Sequence, residues 1–199
     1  MSYGDSLVHF IYYSSLSQPE LVTPAGEGRS RWYGVSLWPT AFFSGRRQEQ
    51  ITSPDSFYAA YQAEFLGARS RTTVLAMALD SATTLIDSQR VSIGVRVHPT
   101  DTVANRLTGV NLVGIVFEDS VPYYSPLRGE TVYASVAVRQ VIGDTWGVPI
   151  RLSFGADLDT VLTTPTGSWR FDKVGVAAFV QDTTTKEVLQ AVMKRRIME

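Results

Sequence analysis

Apolar residues recur at every second position along most of the chain from about residue 71 onward. Successive side chains of a β-strand point to opposite faces of the sheet, so this period is typical of half-buried strands. The period is clearest in residues 74–79, 91–98, 113–117, 132–138, 150–152 and 174–178. Turns are predicted between them at Asp101 and at residues 122–129 and 143–147. Six or seven such strands predict an antiparallel β-sandwich.

The first 69 residues follow a different pattern. Residues 7–13 form a continuous apolar and aromatic run with the length of a buried strand. A short helix is predicted at residues 29–33, ending at Gly34, and an antiparallel hairpin at residues 41–51. The sequence Ser-Pro-Asp at residues 53–55 is typical of a helix start; that helix is predicted to run to about residue 66, with a stop near Gly67.

These patterns together predict an α+β, mainly β chain with two units, residues 1–69 and 70–199, and a boundary near residues 68–72. The end of the chain allows two interpretations. Residues 186–194 fit an amphipathic helix, but they also fit a strand that folds back on residues 174–181. We favour the final hairpin, because the last strand of a sandwich needs a partner.

Composition excludes several classes of function. Eighteen Lys and Arg against nineteen Asp and Glu give a net charge of -1, which argues against a nucleic-acid partner. The longest uncharged stretches, such as residues 32–45, fall short of the roughly 20 apolar residues of a membrane span. The chain start lacks the pattern of a signal peptide, so we expect either a cytoplasmic protein or a missing true N-terminus.

No catalytic apparatus is recognisable. The chain has no cysteine, which excludes thiol chemistry and thiolate metal sites in this chain. We also find no nucleophile elbow, Walker loop or zinc-protease helix. His9 and His98 lie in separate units, and the acids Asp157, Asp159, Glu118 and Asp119 are more typical of turns than of a cation site. We therefore predict no enzyme activity, no cofactor and no metal.

The first unit resembles the second half of a thioredoxin fold. Its sequence RWYGVSLWPTAFFSGRRQEQI is followed by the helix SPDSFYAAYQAEF. Together with the later segments IVFEDSVPYYSPLRGETVYASVAVRQVIGDTWG and VGVAAFVQDTTTKEVLQA, the chain resembles the outer-membrane-protein-28 family of bacterial envelope proteins. The resemblance implies a partial thioredoxin-like segment followed by an immunoglobulin-like β-sandwich, and a location in the cell envelope.

The chain departs from this family in one respect. The resemblance implies an earlier strand and a Cys-x-x-Cys helix, and the chain contains neither. The neighbours of a missing central strand would expose unpaired backbone groups. We therefore expect either a fragment of a longer protein or a chain that pairs with a partner, including a homodimer through an unpaired strand edge.

Two places are candidates for binding. The resemblance implies a cis peptide between Trp38 and Pro39 that leaves the loop up to Thr40 free to pair with an extended peptide; the alternative is a structural turn. Tyr123 and Tyr124 form an aromatic loop that could contact a protein or a glycan, or could pack over a sheet edge. The leading hypothesis is a non-catalytic binding or accessory protein of the envelope; the alternative is a fragment of a thiol-disulfide oxidoreductase with its cysteines upstream.

Overall fold

The computed structural model describes residues 11–13, 21–36, 40–45, 47–50, 54–125, 128–134, 136–143 and 145–197. Two helices lie in the first part of the chain: α1 (Pro24–Tyr33) and α2 (Pro54–Arg69). The strands are β1 (Thr40–Phe43), β2 (Arg47–Gln50), β3 (Leu75–Ile86), β4 (Arg90–Pro99), β5 (Val110–Glu118), β6 (Val121–Ser125), β7 (Glu130–Ala134), β8 (Ala137–Ile142), β9 (Val148–Ile150), β10 (Leu158–Pro165), β11 (Val174–Asp182) and β12 (Val188–Lys194).

Helix α1 begins and ends at residues suited to those positions. The Thr23 side chain accepts a hydrogen bond from the Gly26 N–H at 3.1 Å, and Pro24 occupies the first turn, where no N–H is needed. Gly34 ends the helix with a left-handed φ of 71°, and its N–H donates to the Arg31 carbonyl. The predicted end is confirmed, but the helix begins five residues before the predicted start at Arg29.

The elements that follow α1 agree with the prediction except at one boundary. Strands β1 and β2 form the predicted antiparallel hairpin around the turn at Ser44 and Gly45. Helix α2 begins at Pro54 as predicted, but it continues past Gly67 to Arg69. The helix therefore ends two residues beyond Gly67, close to the predicted stop. Ser70 explains the extension, because its hydroxyl donates to the Gly67 carbonyl at 2.9 Å and satisfies a group at the helix end.

The rest of the chain forms the predicted antiparallel β-sandwich. One sheet has the strand order β10-β4-β3, and the other has the order β12-β11-β5-β8, with β9 paired to β5. Between the sheets lies a core whose members alternate along their strands; it includes Val91, Ile93, Val95 and Val97 of β4 with Val174, Val176, Ala178 and Val180 of β11. The α+β, mainly β fold class is confirmed, and so is the final hairpin, because β12 pairs antiparallel with β11.

The centre of the larger sheet, strands β5 and β11, is buried on both faces. Every residue of β5 is buried, although the alternation predicted a half-buried strand. The second face carries Val113, Ile115 and Phe117, and it packs against Tyr12 and Ala25 of the N-terminal segment. Half-burial was therefore the wrong prediction for β5, because the N-terminal segment covers the face that the alternation assigned to solvent.

The predicted strand at residues 7–13 is only partly covered by the structure. Residues 7–10 lie outside the described residues. Ile11 forms a parallel bridge to Ala137 at the edge of β8. Its N–H donates to the Val136 carbonyl at 3.3 Å, and its carbonyl accepts from the Val138 N–H at 3.2 Å. This bridge is one of the points where the N-terminal segment attaches to the sandwich.

Three further predictions are corrected. The predicted turn at residues 122–129 begins too early: residues 121–125 form β6, which follows Ser120 with its φ of 57° and pairs with β7. The single strand predicted at residues 132–138 is two strands, β7 and β8, because Val136 adopts a φ of 50° that no regular strand contains. Asp159, expected in a turn, lies inside β10, and the alternation missed this strand because Thr160 and Thr164 occupy its inward-facing positions.

The predicted change of pattern near residues 68–72 coincides with the end of α2 at Arg69 and the start of β3 at Leu75. The division into two units at this point stays a prediction. Contacts do cross it: the Val188 N–H of β12 donates to the Ser44 carbonyl in the β1–β2 turn at 2.8 Å.

Candidate functional site

The predicted loop site is mostly beyond the structure's coverage. Trp38 and Pro39 lie outside the described residues. Thr40 is the first residue of β1 and is paired with Gln50 of β2. A peptide-binding role for these three residues stays a prediction.

The β6–β7 hairpin separates the two tyrosines that the sequence places side by side. Pro122 lies opposite Tyr133, and Tyr124 lies opposite Thr131. Because side chains alternate along each strand, these four residues share one face of the hairpin, which we call the tyrosine face. Tyr124 is 59% exposed and Tyr133 is 68% exposed. Two large aromatic side chains are thus presented to solvent on a two-stranded support.

Tyr123 points to the opposite face of the same hairpin and packs inward. Its ring meets the Tyr13 ring edge-on, with centroids 6.3 Å apart, beside a small core that contains Leu21 and Val121. Burial raises the pKa of Tyr13 to about 12, and the neighbouring Tyr123 adds to the shift. Tyr123 thus packs against the interior, whereas Tyr124 is exposed. Sequence reasoning missed Tyr133, although the alternation placed it on the outward side, between Val132 and Ala134.

A second unusual group is a buried arginine that the sequence did not indicate. Arg29 of α1 is only 2% exposed. Its guanidinium donates to the Thr145 carbonyl at 2.9 Å and to the Gln181 side-chain oxygen at 2.7 Å. Its carbon Cζ lies 5.2 to 5.9 Å from the centroids of four aromatic rings, those of Tyr12, Trp32, Tyr33 and Phe179.

The Arg29 charge has no acidic partner among the residues that the structure describes. Its Nε atom is buried without a hydrogen-bond partner. Lys186 adds a second cation to the same aromatic group: its Nζ donates to the Trp32 carbonyl at 2.6 Å and lies 5.7 Å from the Trp32 ring. Aromatic faces and carbonyl oxygens therefore replace carboxylates in holding these cations. Burial also raises the pKa of Tyr12, although Arg29 opposes the shift. We interpret this cluster as the anchor between α1 and the sandwich.

The two neighbouring acids Glu118 and Asp119 have different partners. Glu118 is 3% exposed and accepts from Arg170 at 2.9 Å, with Arg139 at 3.4 Å. The Asp119 carboxylate accepts from the Val136 N–H at 3.0 Å.

The second acidic pair is exposed and lies beside a histidine. Asp157 lies 2.6 Å from His98 Nδ1, and Asp159 accepts from Arg96 at 2.7 Å. His9, the other histidine, is outside the described residues. Within the described ranges, no group of three metal-ligating side chains is found. Nor does any helix in those ranges have the length and apolar character needed to cross a membrane.

The elements together define a mainly β protein in which an antiparallel sandwich follows a segment of two helices and a hairpin. HBP35 of Porphyromonas gingivalis is similar over 92% of this chain, with a TM-score of 0.67 and 13% sequence identity. The chain spans 60% of the HBP35 chain. This similarity shows that the two proteins share a fold.

Two other solved structures are similar over less of the chain. A domain of the outer membrane lipoprotein Omp28 from Porphyromonas gingivalis matches 63% of this chain and 90% of its own, with 18% identity and a TM-score of 0.43. A beta-glucosidase from Kluyveromyces marxianus matches 62% of this chain and 14% of its own, with 10% identity and a TM-score of 0.33. No protein-family model and no curated protein sequence matches the chain.

Proposed function

We propose that this chain is a non-catalytic binding or accessory protein of the bacterial cell envelope, related to the outer-membrane-protein-28 family, and that it binds a protein partner through the tyrosine face. The sequence segments quoted above support the family relationship. The fold shared with HBP35, a bacterial protein, is consistent with it. The observation that carries the binding proposal is the exposure of Tyr124 and Tyr133 on one face of a hairpin.

Tyrosine is suited to such a surface. A tyrosine ring offers a large contact area with few rotatable bonds, and its hydroxyl adds a hydrogen bond at the rim. Tyrosines are therefore frequent among the residues that dominate protein–protein binding energy, where truncation to alanine costs about 2 kcal/mol or more. On its other face the hairpin packs through Tyr123 against Tyr13. The backbone that carries the two exposed rings is therefore anchored to the rest of the chain.

Photo-crosslinking in the native bacterium tests this proposal. Benzoylphenylalanine is placed at Tyr124 or Tyr133 and, as a matched control, at Leu66, which is 50% exposed on α2. We expect discrete crosslinked protein species in the envelope fraction from the two tyrosine positions and none from position 66. Equal labelling at all three positions, or a protein found in the cytoplasm, would contradict the proposal.

Substitution then measures the contribution of the rings. Once the crosslinked partner is identified, Tyr124→Ala with Tyr133→Ala is expected to weaken its binding by about thirtyfold or more. Substitution of both residues by Phe keeps the ring area and should lose much less. A double alanine variant that binds as tightly as the wild type would exclude this face as the binding surface.

A further inference from the structure

The two sides of the sandwich differ in how their strand edges are covered. On one side, β3 and β12 are tied together: the Gln190 side chain donates to the Leu75 carbonyl at 3.2 Å, and the Thr73 hydroxyl donates to the Leu189 carbonyl at 2.9 Å. On the other side, β10 is the last strand of its sheet. In the described part of the chain, nothing pairs with its outer edge.

The outer edge of β10 presents a regular row of backbone groups. Its eight residues pair with β4 without a register shift. The Thr166 N–H, just after the strand, donates to the Gln89 carbonyl on the β4 side. Because backbone groups alternate along an antiparallel strand, the N–H and C=O of Thr163, Val161 and Asp159 face away from β4. These residues therefore offer three donors and three acceptors that no described residue uses.

This edge lacks the features by which exposed strands are usually protected. Such features are bulges, lysines and short strand length. β10 has none of them between its two ends; its one charged residue, Asp159, is paired with Arg96 at 2.7 Å, and its proline is the last residue. Val161, at the middle of the edge, is 49% exposed. The edge is therefore competent to accept another strand.

A cavity of about 250 Å³ lies beside the end of this edge. Its walls are formed by Thr163 and Thr164 of β10, by residues 140–143 at the end of β8, and by Pro24 and Ala25 at the start of α1. None of the lining residues that the structure describes is charged. An additional strand on β10 would direct alternate side chains toward this space, which favours small, uncharged side chains at those positions.

The covered edge of β8 favours a single peptide over a second copy of the chain. A second copy that paired antiparallel through its own β10 would place its own larger sheet beside the edge of β8, where Ile11 already bridges Ala137 and where Pro24 and Ala25 border the cavity. An extended peptide has no second layer and needs only the edge and the cavity. The geometry points to β10 as an acceptor for an extended peptide segment with uncharged, small side chains on its inward face, added as an antiparallel fourth strand. This surface is separate from the tyrosine face.

A designed peptide tests the proposal on the full chain. The probe is Thr-Val-Thr-Ala-Val-Thr-Lys with a C-terminal amide and an N-terminal fluorescein on a Gly-Ser linker, in which the lysine faces Asp159. Fluorescence anisotropy should show saturable binding. N-methylation of the third and fifth residues, whose N–H groups face β10, should weaken binding at least about tenfold. N-methylation of the second and fourth residues, which face away, should change it by less than about threefold.

Protein variants provide the matched control. Val161→Pro removes one outward N–H while sparing the hydrogen bonds to β4, and Val161→Thr keeps that N–H. We expect the proline variant to lose peptide binding at least about tenfold and the threonine variant to retain it, both with unchanged circular dichroism. Tyr124→Ala with Tyr133→Ala should leave peptide binding unaffected, so this test and that of the proposed function can fail separately.

Three outcomes would overturn the inference: no saturable binding, equal binding of the two N-methylated peptides, or wild-type affinity in Val161→Pro. Light scattering tests the other possible occupant of the edge, a second copy of the chain. A concentration-dependent dimer that Val161→Pro abolishes would assign the edge to a second copy of the chain instead.

Discussion

Replacing Arg29 by alanine should destabilise the protein strongly, although the residue forms no ion pair with a described acid. In the folded chain its guanidinium supplies the hydrogen bonds of two buried acceptors, the Thr145 carbonyl and the Gln181 side-chain oxygen. Alanine leaves both acceptors unpaired, at about 1–3 kcal/mol each. It also leaves a cavity between the rings, and the relief of an uncompensated buried charge offsets part of the loss.

From the two unpaired acceptors and the cavity, less the relief of the charge, the net loss for Arg29→Ala is about 3–5 kcal/mol of the free energy of unfolding. The total is roughly 5–15 kcal/mol for a typical domain. Arg29→Met separates the contributions, because methionine fills the space between the rings and restores no hydrogen bond. We expect its loss to be about half that of alanine.

Urea unfolding measures these losses by circular dichroism and by tryptophan fluorescence. Fluorescence reports on this region because the centroids of the Trp32 and Trp146 rings are 4.8 Å apart. Trp146 follows Thr145, whose carbonyl accepts a hydrogen bond from Arg29. An alanine variant within about 1 kcal/mol of the wild type would refute the assigned role of Arg29. Equal losses for alanine and methionine would refute the cavity contribution and leave the hydrogen bonds as the whole effect.

Arg29→Lys adds a pH test with a defined sign. Burial among rings without a carboxylate should lower the pKa of the introduced lysine in the folded state, whereas the unfolded chain keeps it near 10.4. Between those two pKa values the unfolded state binds more protons, so the variant should gain stability relative to the wild type as pH rises. A stability difference that does not change between about pH 7 and 10.5 would contradict a buried cation without a carboxylate partner among the described residues.

Other sites give sharper local tests. Gly45→Ala should destabilise the protein by about 2–4 kcal/mol, because the φ of Gly45 is +74° and an added Cβ would collide with the Lys186 carbonyl oxygen. Thermal unfolding of the variant beside the wild type measures the loss, and an unchanged midpoint would exclude this contact. Glu118→Gln should lower the free energy of unfolding in urea by about 2–3 kcal/mol, because it leaves the Arg139 and Arg170 guanidiniums without their shared carboxylate. An unchanged free energy of unfolding would show that solvent replaces the carboxylate. Tyr13 has a pKa of about 12 in the folded state, against 10 for a free tyrosine. The folded state therefore keeps this proton after the unfolded state has lost it, and the free energy of unfolding should fall as pH rises from 10 to 12. Tyr13→Phe should reduce this fall, and an identical pH profile of the variant and the wild type would contradict the shift.

The helices and most strands could be predicted because their signals are local. Gly34 ends α1 through its own backbone conformation, and strict alternation identifies β4. The start of α1 was missed, although Thr23 followed by Pro24 is a local signal of the same kind. Strand β10 was not predicted because threonines occupy positions that face the core. Its burial therefore depends on what lies opposite and not on its own pattern of apolar residues. The break between β7 and β8 at Val136 was not predicted for a related reason. A β-branched residue rarely adopts a positive φ, and only the surrounding contacts hold Val136 in this conformation.

The candidate site was predictable only in part. An exposed tyrosine beside prolines can be suspected from sequence, and Tyr124 is exposed; its companion Tyr133 required the strand register. Arg29 gave no signal at all, because nothing in a helical sequence distinguishes a solvated arginine from one that a remote carbonyl and four rings enclose. Two of its hydrogen-bond partners, Thr145 and Gln181, lie 116 and 152 residues away along the chain.

The full burial of β5 makes the proposed division at residue 70 testable. If residues 70–199 formed an independent domain, the face that carries Val113, Ile115 and Phe117 would have to tolerate water without Tyr12 and Ala25 over it. Burial of such side chains stabilises by about 1.5–3 kcal/mol each. The fragment 70–199 should therefore unfold at lower urea concentration than the full chain, bind a hydrophobic dye and self-associate. Restoring residues 1–69 as a separate polypeptide should reverse all three effects if docking is the cause. A fragment as stable and monomeric as the full chain would instead establish that the sandwich is an independent domain, with the N-terminal segment as a dispensable cover.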